Sequence, residues 1–446
     1  MQAELSTLSA PPQPAPLKVL LISLFHPELV RGGAQQICYE LFEGLKELPG
    51  IKPTLLASVD SSLPALYKSG ARITGFDGRE GEFLFLSQEY DYWWHRTSSP
   101  LLLEAYADFL RLLTPDVVHI HHFLTLGVEL MTLTRRVLPR ARIVFTFHEF
   151  MTICAADGHM VRKQDKSLCT HASPVRCHQC FPELSPEQFF VREKWMKRHM
   201  EAVDVFTTPS RFMIQHYTDW GIDPRRIFQV GNVQRNRGIT TIVEAPRKSR
   251  NRFGFFGQMV DMKGIHVILR AVEYLRASGF TDFVVEINGD NLRYASEQYR
   301  QEIEAFLETE REKPIAEQNV LFNGSYQVDQ LAGRMARIDW CIVPSVWWEI
   351  FCLVISEAWM FGRPVIVSNV GGPRERVRHE KDGLQFQVGD PQALAGTMRR
   401  ACTEPGLWDT LSAGISPPAG REVMVAEYVA LYQAKKPLAE AIPTLG

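Results

Sequence analysis

Glu349 and Glu357 stand eight residues apart in Pro344-Ser345-Val346-Trp347-Trp348-Glu349-Ile350-Phe351-Cys352-Leu353-Val354-Ile355-Ser356-Glu357-Ala358. The run Trp340-Cys341-Ile342-Val343 ahead of them reads as a strand, and Phe351 to Phe361 reads as a helix carrying the second glutamate. Gly362-Arg363-Pro364 stops that helix, and Val365-Ile366-Val367 reads as the next strand. On one helical path, eight residues rise about 12 Å and turn only about 80° away from their starting face. One carboxylate then stands at the helix mouth and the other about two turns in. Free N–H groups at the helix start favour an anion between them. A ligand with hydroxyls at both ends and phosphate in the middle has that shape, and a nucleotide-sugar is such a ligand.

Other residues could add chemistry. Lys263 lies in Gly257-Gln258-Met259-Val260-Asp261-Met262-Lys263-Gly264, where a cation could meet growing negative charge. Gly32-Gly33 follows the first strand and precedes Ala34-Gln35-Gln36; glycines there let backbone approach a phosphate or a sugar. His148 ends the strand Thr146-Phe147, the place where open α/β sheets bind ligands. Eight cysteines are present, of which Cys38, Cys341, Cys352 and Cys402 are scattered and read as buried, inert thiols. The other four form Cys154-x14-Cys169-x7-Cys177-x2-Cys180. Four thiolates suit a tetrahedral structural Zn²⁺, with His159, His171 and His178 as spare ligands. A disulfide pair and plain unlinked packing are the competing readings.

The segment around Glu349 and Glu357 resembles the donor-site signature of retaining glycosyltransferases of family four, which have the GT-B fold. Val365 to Gly372, ending Ser368-Asn369-Val370-Gly371-Gly372, is similar too, as are Asp382-Gly383-Leu384 and Val388-Gly389-Asp390. The likeness runs from about Leu17 to about Tyr432. It implies that Glu357 binds the donor ribose hydroxyls, a charge-assisted arrangement, and that Glu349 holds the transferred sugar, with Ile350, Phe351 and Gly372 lining the donor. It implies that Lys263 meets the leaving diphosphate. Gln258 stands where the family commonly has Arg and can offer only a neutral hydrogen bond. The same resemblance places Gly32 and Gly33 in a donor-side loop and His148 beside the sugar. Glu375 would bound the cleft, and Asn288-Gly289-Asp290 with Tyr326 would face the base. Glu149 stands where relatives often have Asp. His119, His121 and His122 read as packing residues.

Apolar strands alternate with helices in two series, so the expected fold class is α/β, with two Rossmann-like domains facing across a cleft. The first series has strands at Lys18–Ser23, Leu55–Ala57, Asp116–Ile120 and Ile143–Thr146, with helices at 34–48 and 101–113. The pattern restarts at Phe253-Gly254-Phe255-Phe256 after a breaker-rich stretch. The expected organisation is a flexible tail at 1–16, an acceptor-binding domain at 17–235 with a Cys-rich insertion at 151–182, a nucleotide-sugar domain at 250–418, and a closing segment at 419–446 in which Arg421 to Tyr432 reads as a helix that, as the resemblance implies, returns to the first domain. At 446 residues two domains are expected. Composition is 45% apolar and 22% charged, and a net charge of -2 speaks against a nucleic-acid partner. No apolar run reaches the roughly 18 residues needed to span a bilayer, and Met1 to Pro16 lacks a signal-peptide pattern. Cytoplasm is the expected compartment. Arg192-Glu193-Lys194-Trp195-Met196-Lys197-Arg198-His199 reads as a solvated helix face, with a peripheral contact at the inner membrane surface as the sharper alternative.

The resemblance implies transfer of a hexose-type sugar from a nucleoside diphosphate to a hydroxyl of a glycan or lipid-linked acceptor, with retention and in cell-surface polysaccharide synthesis. No cofactor is expected for catalysis. A nucleotide-sugar hydrolase or epimerase of the same fold, and a non-catalytic nucleotide-sugar-binding scaffold, are the alternatives.

Overall fold

The computed structural model describes residues 15–30, 32–59, 71–86, 89–233 and 249–434. Most of the expected tail, nearly all of the 235–250 boundary stretch and the last residues of the C-terminal segment lie outside these. The chain forms two compact units: Met1–Thr146 with Arg198–Asp204, and Phe147–Lys197 with Val205–Gly446. This division does not follow the restart in the sequence pattern. Residues 147–197 and 205–233 are joined to the second unit by side chains: Trp348 Nε1 donates to the Cys169 carbonyl at 3.0 Å, and Glu375 accepts from the amides of Arg211 and Phe212 at 2.8 and 3.2 Å.

In the first unit the strands are β1 (Leu17–Phe25), β2 (Ile51–Val59), β3 (Ile73–Gly75), β4 (Glu82–Leu86), the small hairpin β5 (Tyr90–Asp91) and β6 (Arg96–Thr97), β7 (Val117–Ile120) and β8 (Arg142–Thr146). They run in the order β8-β7-β1-β2-β4-β3, parallel except for β3. Helices Gly33–Lys46, Pro100–Leu113 and Leu130–Val137 make the crossovers. Leu20, Leu21 and Ile22 of β1 are fully buried, as a strand covered on both faces requires. The aromatic run from Phe83 to Tyr92 divides between β4 and β5.

The second unit carries a parallel pair, β9 (Val205–Thr208) and β10 (Ile227–Gln229), and a six-stranded sheet. The sheet holds β11 (Arg252–Phe256), β12 (Val284–Asn288), β13 (Val320–Gly324), β14 (Trp340–Val343), β15 (Val365–Ser368) and β16 (Gly383–Phe386). Every pairing is parallel, in the order β13-β12-β11-β14-β15-β16. Numbered from its own first strand, that is 3-2-1-4-5-6, the doubly wound Rossmann order. Side chains alternate across it: Trp340 and Ile342 enter the core under helices Ile265–Ala277 and Pro391–Thr403, whereas Cys341 and Val343 join Ile355, Ala358 and Phe361 on the other face. Each such buried aliphatic or aromatic side chain contributes about 1.5–3 kcal/mol. The helix Arg421–Gln433 closes the described chain, and its buried Tyr428 hydroxyl lies 3.3 Å from Thr207 Oγ1 on β9.

The basic run at 192–199 is part of helix Pro186–Met200. Arg192, Met196 and His199 are buried, and Arg192 donates to the Met151 carbonyl at 2.9 Å. The face left outward carries Phe190, Val191, Lys194 and Arg198. No helix of the described residues is long and apolar enough to cross a membrane.

Candidate functional site

In a doubly wound sheet the loops leaving adjacent strands diverge where the winding reverses, and a crevice opens at the strands' carboxyl ends. Here that point lies between β11 and β14. The loop after β11 carries Gln258 and Lys263, and the loop after β14 carries Glu349. The loops touch: Val346 N–H donates to the Met262 carbonyl at 3.0 Å. Gly264 has φ +74, and a Cβ there would run into the Pro344 carbonyl, so only glycine allows this approach.

Lys263 ends the short turn Asp261–Lys263, and its Nζ donates to Glu349 Oε2 at 2.7 Å. Ser345 Oγ and Trp347 Nε1 donate to the same oxygen, each at 3.0 Å. Glu349 is 6% exposed. Burial pushes its pKa up, but the Lys263 charge and the three donated hydrogen bonds outweigh burial and hold the carboxyl below its usual value. Burial likewise pulls Lys263 down, and the Glu349 charge more than reverses it. Both groups are therefore ionised at neutral pH. The Lys263 ammonium also sits 5.6 Å from the centre of the Trp347 ring.

The backbone of Glu349 is fixed from the loop after β15. Gly372 N–H donates to the Glu349 carbonyl at 2.7 Å. Gly371 has φ +56, and any Cβ would collide with the Glu349 backbone. Arg376 donates to the carbonyls of Phe351 and Cys352 at 2.9 and 2.7 Å and to Ser356 Oγ at 2.6 Å, with its guanidinium 3.7 Å from the Phe351 ring centre. Ser210 Oγ donates to the Ile350 carbonyl. Ile350 is buried and Phe351 half-buried.

The helix differs from the sequence expectation. It spans Leu353–Met360, not 351–361, because Cys352 adopts φ +62 and breaks the helical path. Glu349 therefore lies on a loop ahead of the helix, and a rise of about 12 Å along one helix does not describe its separation from Glu357. Glu357 sits just past the first turn of the helix, half-buried. Burial and then the Glu357 charge push the Tyr326 phenol upward, which puts Tyr326 in the field of that carboxylate. Tyr326 meets Phe256 edge-on at 5.8 Å, beneath the Arg334 guanidinium at 5.2 Å. Asn288 does not face a base: its amide donates to the Phe255 and Glu286 carbonyls, and its oxygen accepts from Asn323 and Arg334.

Gln258 is exposed on its loop. His148 and Glu149 follow β8, both half-buried, in the same compact unit as Glu349. Burial pushes Glu149 up to about 7, against the Met151 amide and the Arg192 charge, which lower it. Gly32 and Gly33 belong to the other unit, where Gly32 caps helix Gly33–Lys46 in an extended conformation. His119, His121 and His122 are buried there, with His119 Nε2 2.7 Å from Thr146 Oγ1. Glu375 caps helix Arg211–Trp220. Ser345, Trp347, Ser210 and Arg376 were not singled out from sequence: Ser210 and Arg376 act across fold contacts that no local motif marks, and Ser345 and Trp347 act from the loop of Glu349 itself.

Trp347 and Trp348 join the site to the Cys-rich segment. His159 meets the Trp347 ring edge-on at 5.5 Å, and Trp348 stacks on Phe212 at 5.9 Å. A groove of about 570 Å³ runs beside Trp348, lined among others by Phe212, Arg211, Arg374, Asn369 and Gln387. Cys154, Cys169, Cys177 and Cys180 are half-buried and unlinked. Among the described residues no three His, Cys, Asp or Glu side chains stand arrayed to hold a metal ion.

Residues 31–233 match the family model Glycosyltransferase Family 4, and residues 250–404 match Glycosyl transferases group 1. An uncharacterized glycosyltransferase, MJ1607 of Methanocaldococcus jannaschii, is 28% identical over 152 residues, 34% of this chain and 36% of that protein, so this match spans about a third of the relative's length. The putative glycosyltransferase YtcC of Bacillus subtilis is 23% identical over 319 residues, 69% of each chain. The crystal structure of Anabaena Alr3699/HepE in complex with UDP superposes with a TM-score of 0.62 at 16% identity, covering 93% of this chain and 99% of that one. Glycosyltransferase family models match both sheet-bearing regions, the relatives named are glycosyltransferases, and the fold is GT-B.

Proposed function

We propose that the protein is a retaining hexosyltransferase that moves a sugar from a nucleoside diphosphate to a hydroxyl of a glycan or lipid-linked acceptor in cell-surface polysaccharide synthesis. The observation that carries this reading is the Lys263–Glu349 ion pair, its carboxylate buried, at the switch point of the second sheet. Lys263 supplies a fixed positive charge where a diphosphate would take up negative charge, and the N-terminus of helix Leu353–Met360 adds its amides. All three donors to Glu349 converge on Oε2, so Oε1 is the oxygen for a sugar hydroxyl. Glu357, near Tyr326, takes the ribose hydroxyls. His148 orients the sugar, a positioning role. Gln258 contributes a neutral hydrogen bond. The UDP held by the Anabaena protein is a ligand of this class.

In the reaction the bond from the anomeric carbon to the diphosphate oxygen breaks, and its electron pair leaves with the diphosphate. The acceptor oxygen bonds to the same face, and its proton passes to the departing phosphate oxygen. No protein nucleophile is needed, and the residues act by charge and position. The outward face of helix Pro186–Met200, with Phe190, Val191 and Lys194, would rest on the inner membrane surface where lipid-linked acceptors are found.

The test is a panel of UDP-, GDP-, ADP- and dTDP-sugars, read by thermal shift and by nucleotide release with and without acceptor, in wild type and Glu357→Ala. One nucleotide should raise the melting temperature by several degrees. Glu357→Ala should weaken it about 10–100-fold, the worth of about 1.5–3 kcal/mol of charge-assisted hydrogen bonding. Nucleotide release at full rate without acceptor would favour a hydrolase, and no shift with any donor would favour a scaffold.

A further inference from the structure

We infer that Cys154, Cys169, Cys177 and Cys180 form a four-thiolate structural zinc site that braces the segment against the tryptophans beside Glu349. All four line one small cavity of about 30 Å³. The rest of its wall is largely apolar, including Ala155, Ala156, Met160 and Phe181. Such a volume fits a single water-sized body, yet an apolar wall holds water poorly. A borderline-soft cation bound by sulfur suits it.

The backbone brings the four together from three places. Cys154 closes a turn, its N–H donating to the Phe150 carbonyl at 2.7 Å. Cys169 ends a hairpin in which Val161 bridges Leu168 and Cys169 N–H donates to the Met160 carbonyl at 2.7 Å. Cys177 and Cys180 lie three apart on helix Pro174–Cys180 and so share a face. That helix has no buried residue. A helix that brings so little apolar surface to a core needs a cross-link to hold one shape, and metal is one of the few available.

As they stand the thiols are protonated donors and form no ligand array: Cys169 Sγ donates to the His171 carbonyl at 3.2 Å, Cys180 Sγ to Gln164 Oε1 at 3.6 Å, and Cys154 Sγ to the Ala156 carbonyl at 3.9 Å. Binding exchanges four S–H protons, released to solvent, for four Zn–S bonds of about 2.3 Å, and each sulfur turns about its own Cα–Cβ bond onto the shared cavity. The nearby histidines have other partners, His178 Nδ1 with the Leu184 carbonyl at 2.7 Å, His171 Nδ1 with Thr170 Oγ1 at 3.3 Å and His159 against Trp347, and none of them lines the cavity, so the proposed ligand set is the four cysteines. Its consequence for the site is direct: the Cys169 carbonyl accepts from Trp348, one residue from Glu349.

The full chain, expressed without a metal-binding tag in zinc-supplemented medium, should hold close to one zinc per chain by elemental mass spectrometry. Cys177→Ser/Cys180→Ser should hold less than a tenth of that. Should that variant fail to fold, Co²⁺ exchanged into wild type should show thiolate-to-metal charge-transfer absorption and tetrahedral ligand-field bands. Chelation should lower the melting temperature and change tryptophan emission with no substrate present. Zinc absent from both purified and reconstituted protein overturns the proposal. So does an unreduced mass two or four protons below that of the thiol form, which would make the cysteines disulfides. These readouts need no donor or acceptor, so they stand or fall apart from the glycosyltransfer reading.

Discussion

Lys263→Gln separates two tasks of one cation, the one seen in the structure and the one the proposed reaction gives it. The first is structural. Lys263 is the charge partner of a buried carboxylate at 2.7 Å. At an effective dielectric near 20, a unit pair even at about 4 Å is worth about 4 kcal/mol before desolvation is counted. Losing one partner of a fully buried pair costs about 3–5 kcal/mol. Lys263 keeps 28% of its side-chain surface in solvent, so about 2 kcal/mol of lost stability is expected here. Because the Glu349 pKa is depressed in the fold, the pair's stabilisation is present above the ordinary carboxylate range and is lost as pH falls through the folded value. In Lys263→Gln that acid-side loss should be absent. The second task belongs to the proposed reaction, in which a fixed charge on the leaving diphosphate is worth about 100- to 1,000-fold in kcat.

The assay pairs thermal melting with single-turnover transfer in wild type, Lys263→Gln, Glu349→Gln and the double variant. Glu349→Gln in the Lys263→Gln background removes the stranded carboxylate, so melting should recover while transfer stays low. Lys263→Gln with turnover within threefold of wild type, despite its melting loss, would refute the catalytic half: the cation would serve only to hold Glu349. Equal melting in all four proteins would refute the structural half.

Gly371→Ala should cost about 1–3 kcal/mol, through a strained positive φ and a clash with the Glu349 backbone, and should lower transfer with it; wild-type melting would show that the loop yields freely. Glu149 has a folded pKa raised from the usual 4.5 to about 7, so its contribution is most favourable below about 4.5 and declines as pH rises to about 7, by about 3 kcal/mol in all. Glu149→Gln should flatten the urea-unfolding midpoint between pH 5 and pH 8, and an unchanged slope would contradict this.

The two sheets were legible because buried parallel strands are continuous apolar runs: Val19–Ile22 and Trp340–Val343 can hardly be read otherwise. The helix Arg421–Gln433 was placed to within a residue. The start of the helix after Glu349 was not, because nothing in Phe351-Cys352-Leu353 announces a left-handed Cys352. That conformation is held by Arg376, 24 residues on, through the Cys352 carbonyl. Asn288 invited a ligand role by lying at a strand end, yet its whole amide is engaged between strands, and only the spatial register of β12 with β13 reveals that.

The same distinction explains Glu349. Its spacing from Glu357 singled it out, but spacing along the chain does not set its chemistry. That comes from its own loop and three other segments: Lys263 for its charge, Ser345 and Trp347 of the loop for the hydrogen bonds that leave one oxygen over, Gly371-Gly372 for its backbone, and Cys169 through Trp348 for the wall beside it. Each contact is long-range except the two from its own loop, and each is of a residue type too common to stand out locally. A carboxylate held by this many independent groups cannot turn to follow a ligand, so the ligand must fit the carboxylate. Preorganisation of that kind is what electrostatic catalysis requires, since a charge already fixed in place costs no reorganisation when the bond breaks.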